Sequence, residues 1–479
     1  MEIDALVAEI GSTTTVVNAF DGLDTPTPRF LGQGVAPTTV LDGDVTIGLR
    51  GAIEDLRRAV LGGAGSQRPN PDGGLTWREM LASSSAAGGL KMTVHGLVYD
   101  MTVKAAREAA LGAGAVLRFI TAGKLQDSDL EEIRRIGPNI ILLAGGVDYG
   151  ERATPLFNAG RLAELKLKVP VIFAGNVAAR DEVVRILEGA GTRVVAIENV
   201  YPRIDELDVE PARRAIQKAF EEHIVSAPGM EKVRELVTGT IIPTPGAVMN
   251  AAQLLAEEIG DLMVLDVGGA TTDVHSVTAG SEEIQDMLVA PEPFAKRTVE
   301  GDLGVFVNAA HVAERIGWEN LSREVEFDAR EVLAHKKAIP TAPEEIRLAE
   351  RLAEEAIRLA VKRHAGQVKY LYGPTGRTTV AEGKDLTRVR WIIGTGGPLT
   401  RLPGGRDILE KLRPKKRGLE LLPGPEAEIL IDRFYIMASL GVLASRHPRA
   451  ALTMLRESLG LFGESGPRER GAPDAVSAP

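Results

Sequence analysis

The sequence contains no cysteine among its 479 residues. This absence excludes disulfide bonds, thiolate nucleophiles and cysteine metal sites, and it is typical of proteins from a reducing compartment. Aromatic residues make up only 4% of the chain, so the cores that its 44% hydrophobic content can build are aliphatic. We therefore expect a cytoplasmic protein with more than one aliphatic core, since the chain is too long for a single domain.

The chain also lacks an excess of basic charge. Its formal net charge of −10 argues against a general role in nucleic-acid binding. No apolar stretch reaches the length of a membrane-spanning helix, and the N-terminus shows no signal-peptide pattern. We expect neither a nucleic-acid partner nor a membrane partner, and nothing in the sequence indicates the oligomeric state.

The most informative stretch is LMVLDVGGATTDVHSV, at Leu262–Val277. An apolar strand brings Asp266 to a glycine turn, and two hydroxyls and a second carboxylate follow; the residues are Gly268, Gly269, Ala270, Thr271, Thr272 and Asp273. Small residues let backbone N–H groups approach an anion, hydroxyls donate to phosphate oxygens, and carboxylates hold Mg²⁺ or orient water. The pattern therefore suits a metal-bound polyphosphate, although a purely structural β-turn explains the glycines equally well.

Two further strand-to-glycine turns lie far away in the sequence. In ALVAEIGSTTT, an N-terminal strand brings Glu9 to Gly11, Ser12, Thr13 and Thr14. In RWIIGTGGPL, a third strand opens into Gly394, Thr395, Gly396, Gly397 and Pro398. If the three turns converge in space, they form the site of one nucleotide.

This ordered set resembles the actin/Hsp70/sugar-kinase ATPase superfamily. The resemblance implies an α/β fold with two lobes, each built on a duplicated RNase H-like domain. It also implies that the first two turns bind phosphate and that the third contacts the nucleoside. The chain departs from the superfamily at Glu9, where aspartate is usual, and this departure puts the hydrolysis rate in more doubt than nucleotide binding.

The stretch from Ala115 to Glu198 alternates between buried strands and amphipathic helices, as parallel α/β units do. We interpret it as an inserted Rossmann-like subdomain. It has no G-x-G-x-x-G pattern, so its glycines indicate tight turns more strongly than a cofactor site. The expected domains are an N-terminal lobe (1–114), the insert (115–200), connecting helices (201–260), a C-terminal lobe (261–463) and a disordered tail (464–479).

Two other segments allow specific expectations. In TVEGDLG, Glu300 and Asp302 either line the nucleotide cleft or begin the helix that follows. A helix over residues 432–445 places Ala438, Gly441 and Ala444 on one thin face, which favours close contact with another helix.

A closer resemblance covers nearly the whole chain. The motifs EIGSTTTVVNAFD, ASSSAAGGLKMTVHGLV, LLAGGVDYG, IIPTPGAVMNAAQLL, LDVGGATTDVHSV and RTVEGDLG resemble the MutL/GlmL family, which is unrelated to the mismatch-repair protein of the same name. This resemblance implies a chaperone-like ATPase that reactivates an adenosylcobalamin-dependent glutamate mutase or aminomutase. Lobe closure driven by ATP would release damaged cobalamin from the mutase, which is the implied partner.

The resemblance also assigns roles to residues. ATP and Mg²⁺ are the implied cofactors: Asp266 and Glu9 would lie near the metal and its water, and Asp273 would position water or metal. The phosphates would lie against Gly11–Thr14 and Gly268–Thr272, and the nucleoside against Gly394–Pro398. No cobalamin-binding D-x-H-x-x-G motif is evident in the insert, so we do not expect this chain to ligate cobalamin.

Two alternatives remain open. The first is a metabolic enzyme on the same fold, either a small-molecule kinase or an ATP-dependent amidohydrolase of the hydantoinase/oxoprolinase type. The chain has no H-x-H or H-E-x-x-H metal pattern, which argues against that reading. The second is a nucleotide-gated binding protein with negligible hydrolysis.

Overall fold

The computed structural model describes residues 1–11, 13–39, 44–61, 74–85, 91–112, 116–204, 206–224, 230–373, 376–413 and 418–461. Predictions for Ser12 and for the tail, residues 464–479, lie outside these residues. Within them, no helix combines the length and hydrophobicity that crossing a membrane requires.

The helices and strands follow one another along the chain in three groups. The first group is β1 (Glu2–Ile10), β2 (Thr14–Asp21), β3 (Arg29–Pro37), α1 (Val45–Leu61) and β4 (Thr76–Ser84). The second is β5 (Lys91–Gly96), α2 (Lys104–Gly112), β6 (Val116–Ala122), α3 (Asp127–Ile136), β7 (Ile140–Leu143), α4 (Ala153–Glu164), β8 (Val171–Phe173), α5 (Arg180–Gly189), β9 (Val194–Ala196), α6 (Glu210–Ile224), α7 (Met230–Leu236), β10 (Ile241–Pro243) and α8 (Thr244–Ile259). The third is β11 (Leu262–Val267), β12 (Thr272–Val277), α9 (Glu282–Gln285), β13 (Ala295–Glu300), α10 (Ala309–Ile316), α11 (Trp318–Val325), α12 (Ala329–Ala334), α13 (Pro343–His364), β14 (Gln367–Gly373), β15 (Gly376–Glu382), β16 (Trp391–Thr395), α14 (Gly397–Thr400), α15 (Gly405–Glu410), β17 (Glu428–Ile431), α16 (Met437–Leu443) and α17 (Pro448–Leu459).

Two five-stranded sheets share one topology. The first has the order β10-β4-β1-β2-β3 and the second β17-β16-β11-β12-β13. In each sheet the three strands that come first in sequence are antiparallel, and the other two add in parallel. β1 and β11 therefore occupy equivalent central positions, which explains why both are apolar almost throughout. This repeated order defines the duplicated two-lobed α/β fold that the sequence predicted.

A third sheet interrupts the first lobe. Its five strands are all parallel, in the order β6-β5-β7-β8-β9. In the sequence it lies between β4 and β10, which are neighbours in the first sheet. One of its strands, β5, comes before residue 115, and the segment after residue 200 returns to the first sheet as β10. The domain boundaries proposed from the sequence stay predictions.

Helices join the two lobes. α8 follows the last strand of the first sheet, and α16 follows the last strand of the second, so the two helices are equivalent in the duplicated fold. They pack together in a core that also receives side chains from both sheets, including Val7, Leu81, Val264 and Ile393. The two lobes are thus connected by a continuous apolar joint, formed by α8, α16 and the neighbouring strands.

Candidate functional site

The turns that end β1 and β11 are built in the same way. The Gly11 N–H donates to the carbonyl of Thr14 at 3.0 Å, and the Gly268 N–H donates to that of Thr271 at 2.9 Å. A Cβ atom on Gly11 would lie 2.6 Å from the Thr14 oxygen, so the first turn requires glycine. Equivalent strands thus bring equivalent turns to the cleft from both lobes.

The two turns face each other across a small cavity. A Cβ atom placed on Gly269 would lie 3.4 Å from Oγ1 of Thr13, which belongs to the opposite lobe. The cavity between them has a volume of about 130 Å³. Ten of the predicted site residues line it: Glu9, Gly11, Thr13, Thr14, Asp266, Gly268, Gly269, Ala270, Thr271 and Asp273.

Three carbonyl groups of the second turn accept hydrogen bonds from the segment that follows β13. The Gly268 oxygen accepts from the Val305 N–H, and the Gly269 oxygen accepts from the N–H groups of Phe306 and Val307. The amide of Asn308 donates to the Ala270 oxygen at 2.7 Å. Since the carbonyl side is occupied in this way, the turn offers its other side to an anion in the cavity.

Glu9 is almost fully buried at the wall of this cavity, with 7% of its surface exposed. The pKa of Glu9 is raised to about 7, mainly by burial. The hydrogen bond from Ser439 opposes this rise, and the charge of Asp432 adds to it. The Ser439 hydroxyl donates to Oε1 of Glu9 at 2.5 Å and accepts from the Asn18 amide at 2.7 Å. The carboxylate is therefore held in one orientation from both lobes.

Asp266 and Asp273 lie opposite each other on β11 and β12. Burial, together with the charges of Asp273 and Glu9, raises the pKa of Asp266 to about 8. Burial also raises the pKa of Asp273, while the Arg297 guanidinium, 3.3 Å away, lowers it. Three carboxylates thus share one small cavity, and Arg297 is the cation in contact with one of them.

This donor set fits a hydrated Mg²⁺. Oδ1 of Asp273 is buried and has no hydrogen-bond partner in the described part of the chain. Among the same residues, no three or more His, Cys, Asp or Glu side chains form a direct metal cluster. Mg²⁺ is commonly held by one or two carboxylates together with waters and phosphate oxygens, and Asp266 and Glu9 would hold it in that manner.

A larger cavity, of about 370 Å³, adjoins the smaller one. Thr13, Thr14, Gly268, Gly269 and Tyr435 line both cavities. The larger cavity is mainly apolar and extends to Gly397 and Pro398 and to α13, where it meets Leu348, Ala349 and Leu352. Its size and its apolar wall suit a nucleoside, whose phosphates would reach the smaller cavity.

Other predicted residues lie beside the cavities without lining them. Gly394 packs against Leu399, Leu409 and Ile431, and the Thr395 hydroxyl donates to Asp432 at 3.0 Å. A Cβ atom on Gly396, whose φ is +86°, would lie 2.7 Å from Oδ1 of Asp266. Gly396 therefore brings the third turn against the second, and the residues after it face the nucleoside cavity.

Three further predicted residues serve the protein's own packing. The Thr272 hydroxyl donates to the Leu303 carbonyl at 2.7 Å and is fully buried. Asp302 accepts from Arg363 at 2.8 and 3.0 Å, and Glu300 also pairs with Arg363. Glu300 and Asp302 line neither cavity, and both carboxylates are instead engaged by Arg363.

Several residues of the site escaped the sequence analysis. Ser439 and Tyr435 belong to no quoted motif, and the motifs that contain Asn18 and Arg297 assigned these two side chains no role. Each of the four reaches the site through the tertiary fold. Tyr435 has a positive φ of 54°, which is uncommon for a residue other than glycine, and it lies between the two cavities. Only the mixture of hydroxyl and small residues near 435–441 offered a signal, and it predicted helix packing instead.

The strand order and the paired turns define the class of actin/Hsp70-like two-lobed proteins. Within that class, the chain belongs to the MutL protein family, whose model matches residues 5–459. It is 37% identical over 473 residues to Protein MutL of Clostridium tetanomorphum, and the match covers 95% of this chain and 98% of that protein. The membership that the sequence motifs indicated is thereby confirmed.

Solved structures with a similar arrangement are more distant. Nucleotide-free acetone carboxylase is 13% identical with a TM-score of 0.39, and the match covers 92% of this chain and 70% of that one. Nucleotide-free diol dehydratase-reactivating factor is 12% identical with a TM-score of 0.35, covering 93% and 100%. Component A of the Acidaminococcus fermentans (R)-2-hydroxyglutaryl-CoA dehydratase is 11% identical with a TM-score of 0.30, covering 94% and 99%. Likenesses this distant carry no inference about activity.

Proposed function

We propose that the chain binds Mg·ATP between its lobes, hydrolyses it slowly, and uses the resulting lobe movement to reactivate an adenosylcobalamin-dependent glutamate mutase or aminomutase. One observation carries the nucleotide part of this proposal. Two equivalent strand-to-glycine turns, one from each lobe, close a carboxylate-lined polar cavity that continues into a mainly apolar one. A polyphosphate attached to a nucleoside matches that sequence of polar and apolar surfaces.

Each group has a task in this proposal. Bound Mg²⁺ supplies charge neutralisation of the phosphates. Thr13, Thr14 and the Gly268–Thr271 turn bind phosphate oxygens from opposite lobes, so an intact triphosphate holds the lobes together. Asp266 and Glu9, the latter oriented by Ser439, would hold the metal and its water, and Asp273, oriented by Arg297, positions the attacking water. Loss of the terminal phosphate removes the contacts that join the lobes, which then separate.

Membership of the MutL/GlmL family supports the mutase as target. The fold adds that the third sheet is inserted into the first lobe, where it would move with that lobe. Such an insert offers a lever or a contact surface toward a partner enzyme. The damaged cobalamin would then leave the mutase without being ligated by this chain.

The test uses the purified chain, Mg²⁺ and ATP, with and without a glutamate mutase or aminomutase inactivated by hydroxocobalamin. ATP turnover together with recovered mutase activity supports the proposal. Turnover without recovery of any candidate mutase favours a metabolic enzyme and calls for a small-molecule screen. ATP binding without turnover favours the nucleotide-gated binding protein, and the absence of nucleotide binding contradicts the site itself.

The nucleoside cavity leads to a separate prediction. Ala349 lies on α13 in the wall of the larger cavity, away from the three carboxylates. We expect Ala349→Trp to weaken ATP binding at least about tenfold by filling the space of the base, since the loss of a buried ring contact amounts to more than ~1.4 kcal/mol. Calorimetric titration measures the affinity, and Ala349→Ser is the matched control that leaves the space open. Equal affinity for ATP in both variants would place the nucleoside elsewhere.

A further inference from the structure

β13 is the edge strand of the second sheet and pairs with β12, which carries Asp273. Arg297 lies on β13 directly opposite His275 and is 1% exposed. Its Nη2 atom lies 3.3 Å from Oδ2 of Asp273. A fully buried guanidinium thus stands behind a carboxylate that faces the nucleotide cavity.

Stability alone gives little reason for this arrangement. Nε and Nη1 of Arg297 are buried and have no hydrogen-bond partner among the residues that the structure describes. Burial and the charge of Arg297 lower the pKa of His275 well below its usual range, so this neighbour stays neutral. Asp273 and Asp266 are the carboxylates that balance the guanidinium. A protein with a buried ion pair that makes so few hydrogen bonds is often less stable than one with an apolar pair of similar size at the same place.

The two residues before Arg297 face a different part of the molecule. The Ala295 carbonyl accepts from Nη2 of Arg213, on α6, at 2.7 Å. The Lys296 ammonium lies 2.7 Å from Glu292 and 3.8 Å from Glu108, which is on α2. The side chains of Lys296, Glu292 and Glu108 are at most 4% exposed, so solvent screens these charges weakly.

The helices α2 and α6 connect this edge to the rest of the first lobe. Both contribute to one core, α2 through Ala106 and Ala109 and α6 through Ala212 and Ile216. The same core contains Leu6 of the first sheet and side chains of β7 and β8 in the third. The two helices therefore form a layer between the first and third sheets, and β13 of the opposite lobe is fixed to that layer.

We propose that Arg297 is a positioning residue for the Asp273 carboxylate and that, through Ala295 and Lys296 on the same strand, it couples the nucleotide site to the α2–α6 layer under the third sheet. This inference rests on the proposed binding of nucleotide. Three consecutive residues of one strand then join the site to two helices of the other lobe. A ligand that pulls on Asp273 displaces β13. The ionic contact of Lys296 with Glu108 passes the displacement to α2, and the hydrogen bond between the Ala295 carbonyl and Arg213 passes it to α6.

The surroundings of the contact between β13 and α2 leave room for such a displacement. A polar cavity of about 410 Å³ lies between α2 and the second lobe, and Lys104, Arg107, Glu292 and Lys296 line it. Lys104 also holds Glu292, at 2.6 Å, so the ionic contact can persist while its geometry changes. Coupling between sites is reciprocal, so if nucleotide changes the stability of the contact with α2, that contact in turn changes nucleotide affinity.

The test measures amide hydrogen exchange in α2 and α6 with and without the ATP analogue AMP-PNP, whose binding is followed separately by calorimetry. In the unaltered protein we expect AMP-PNP to change exchange in both helices at least about fivefold, the lower end of typical coupling. In Lys296→Gln the effect is lost and AMP-PNP affinity changes by a similar factor, although Lys296 lines neither nucleotide cavity. Lys369→Gln, on the exposed hairpin β14–β15, is the matched control and keeps the effect.

Arg297→Met and Arg297→Lys test the positioning role. We expect the methionine variant to lose kcat for ATP at least about 100-fold while KM changes little, since Asp273 faces the reacting phosphate and not the nucleoside. Lysine retains a positive charge and recovers part of kcat, a rescue that a packing role does not give. Arg213→Gln removes the hydrogen bond to the Ala295 carbonyl. It therefore tests the coupling a second time and leaves Arg297 itself unchanged.

The outcomes separate the two claims. AMP-PNP binding with no change in α2 or α6, or a change that persists in both Lys296→Gln and Arg213→Gln, overturns the coupling. A lysine variant as inactive as the methionine variant, or a loss confined to KM, overturns the positioning role. If calorimetry shows no binding of AMP-PNP to the unaltered protein, the proposed function fails first, and this inference fails with it.

Discussion

Replacing Asp266 with asparagine is expected to reduce ATP hydrolysis at least about 100-fold, the usual scale for a carboxylate that acts on the reacting groups. Asp266 is half-buried at the end of β11, lines the polar cavity and lies opposite Asp273. Asparagine has nearly the same shape but carries no charge, so it binds and orients a hydrated cation poorly. Turnover of ATP at saturating Mg²⁺ is the measurement.

The same substitution is expected to stabilise the nucleotide-free protein at pH 8. The pKa of Asp266 is raised to about 8, mainly by burial, and that of Glu9 to about 7. Between their ordinary values and these raised ones, the folded state binds more protons than the unfolded state. Stability therefore falls as pH rises through this window and is recovered as pH falls toward the ordinary carboxylate pKa. Asp266→Asn removes one of the buried carboxylates responsible, a set that also includes Glu9 and Asp273.

The measurement is the unfolding temperature without nucleotide at pH 5, 6, 7 and 8. We expect the unaltered protein to lose stability across this range, and Asp266→Asn to lose less and to be the more stable of the two at pH 8. Asp286→Asn, an exposed carboxylate outside both cavities, is the matched control and should leave both activity and pH dependence unchanged. Full hydrolysis by Asp266→Asn would remove this residue from the site.

Local sequence signals indicated an α/β protein and singled out most of the residues that line the polar cavity. Glu9 and Asp266 each end an apolar strand two residues before a glycine, and this spacing alone predicted two strand-to-turn units. The duplicated strand order then brings the units together, because β1 and β11 hold the same central position in their sheets. The resemblance to the actin/Hsp70 class added the pairing of the lobes, which no single segment specifies.

Partners that are distant in sequence could not be predicted in this way. Ser439 reaches Glu9 across 430 positions, and the motif RTVEGDLG, which begins with Arg297, does not indicate that this side chain pairs with Asp273. Sheet membership was also hidden: the strand near Met92 has ordinary alternation, yet it pairs with β6 and β7 and not with the first sheet. Strand propensity fixes which residues are extended, while the choice of neighbour depends on packing that a local pattern does not contain.

The joint between the lobes depends on one glycine. A Cβ atom on Gly441, in α16, would lie 1.8 Å from the carbonyl oxygen of Ala247 and 3.2 Å from the nitrogen of Ala251, both in α8. No side chain fits there, because both obstacles are backbone atoms of the neighbouring helix. The thin helix face predicted from Ala438 and Gly441 thus has a specific purpose: it lets the backbones of α8 and α16 touch where the lobes meet.

We expect Gly441→Ala to destabilise the protein by about 3 kcal/mol or more, since the two helices must separate and leave unfilled space along the joint. Gly160→Ala is the matched control: Gly160 lies within α4 with nothing within 4 Å of the added carbon, so the change should stabilise that helix by up to about 1 kcal/mol. Chemical unfolding of both variants measures the difference. The damage should also reach the nucleotide site, because α8 begins at Thr244, which lines the polar cavity. Weakened ATP binding in Gly441→Ala but not in Gly160→Ala would show that helix contact at the joint sets the distance between the two phosphate turns. Equal stability of the two variants would contradict the close helix packing itself.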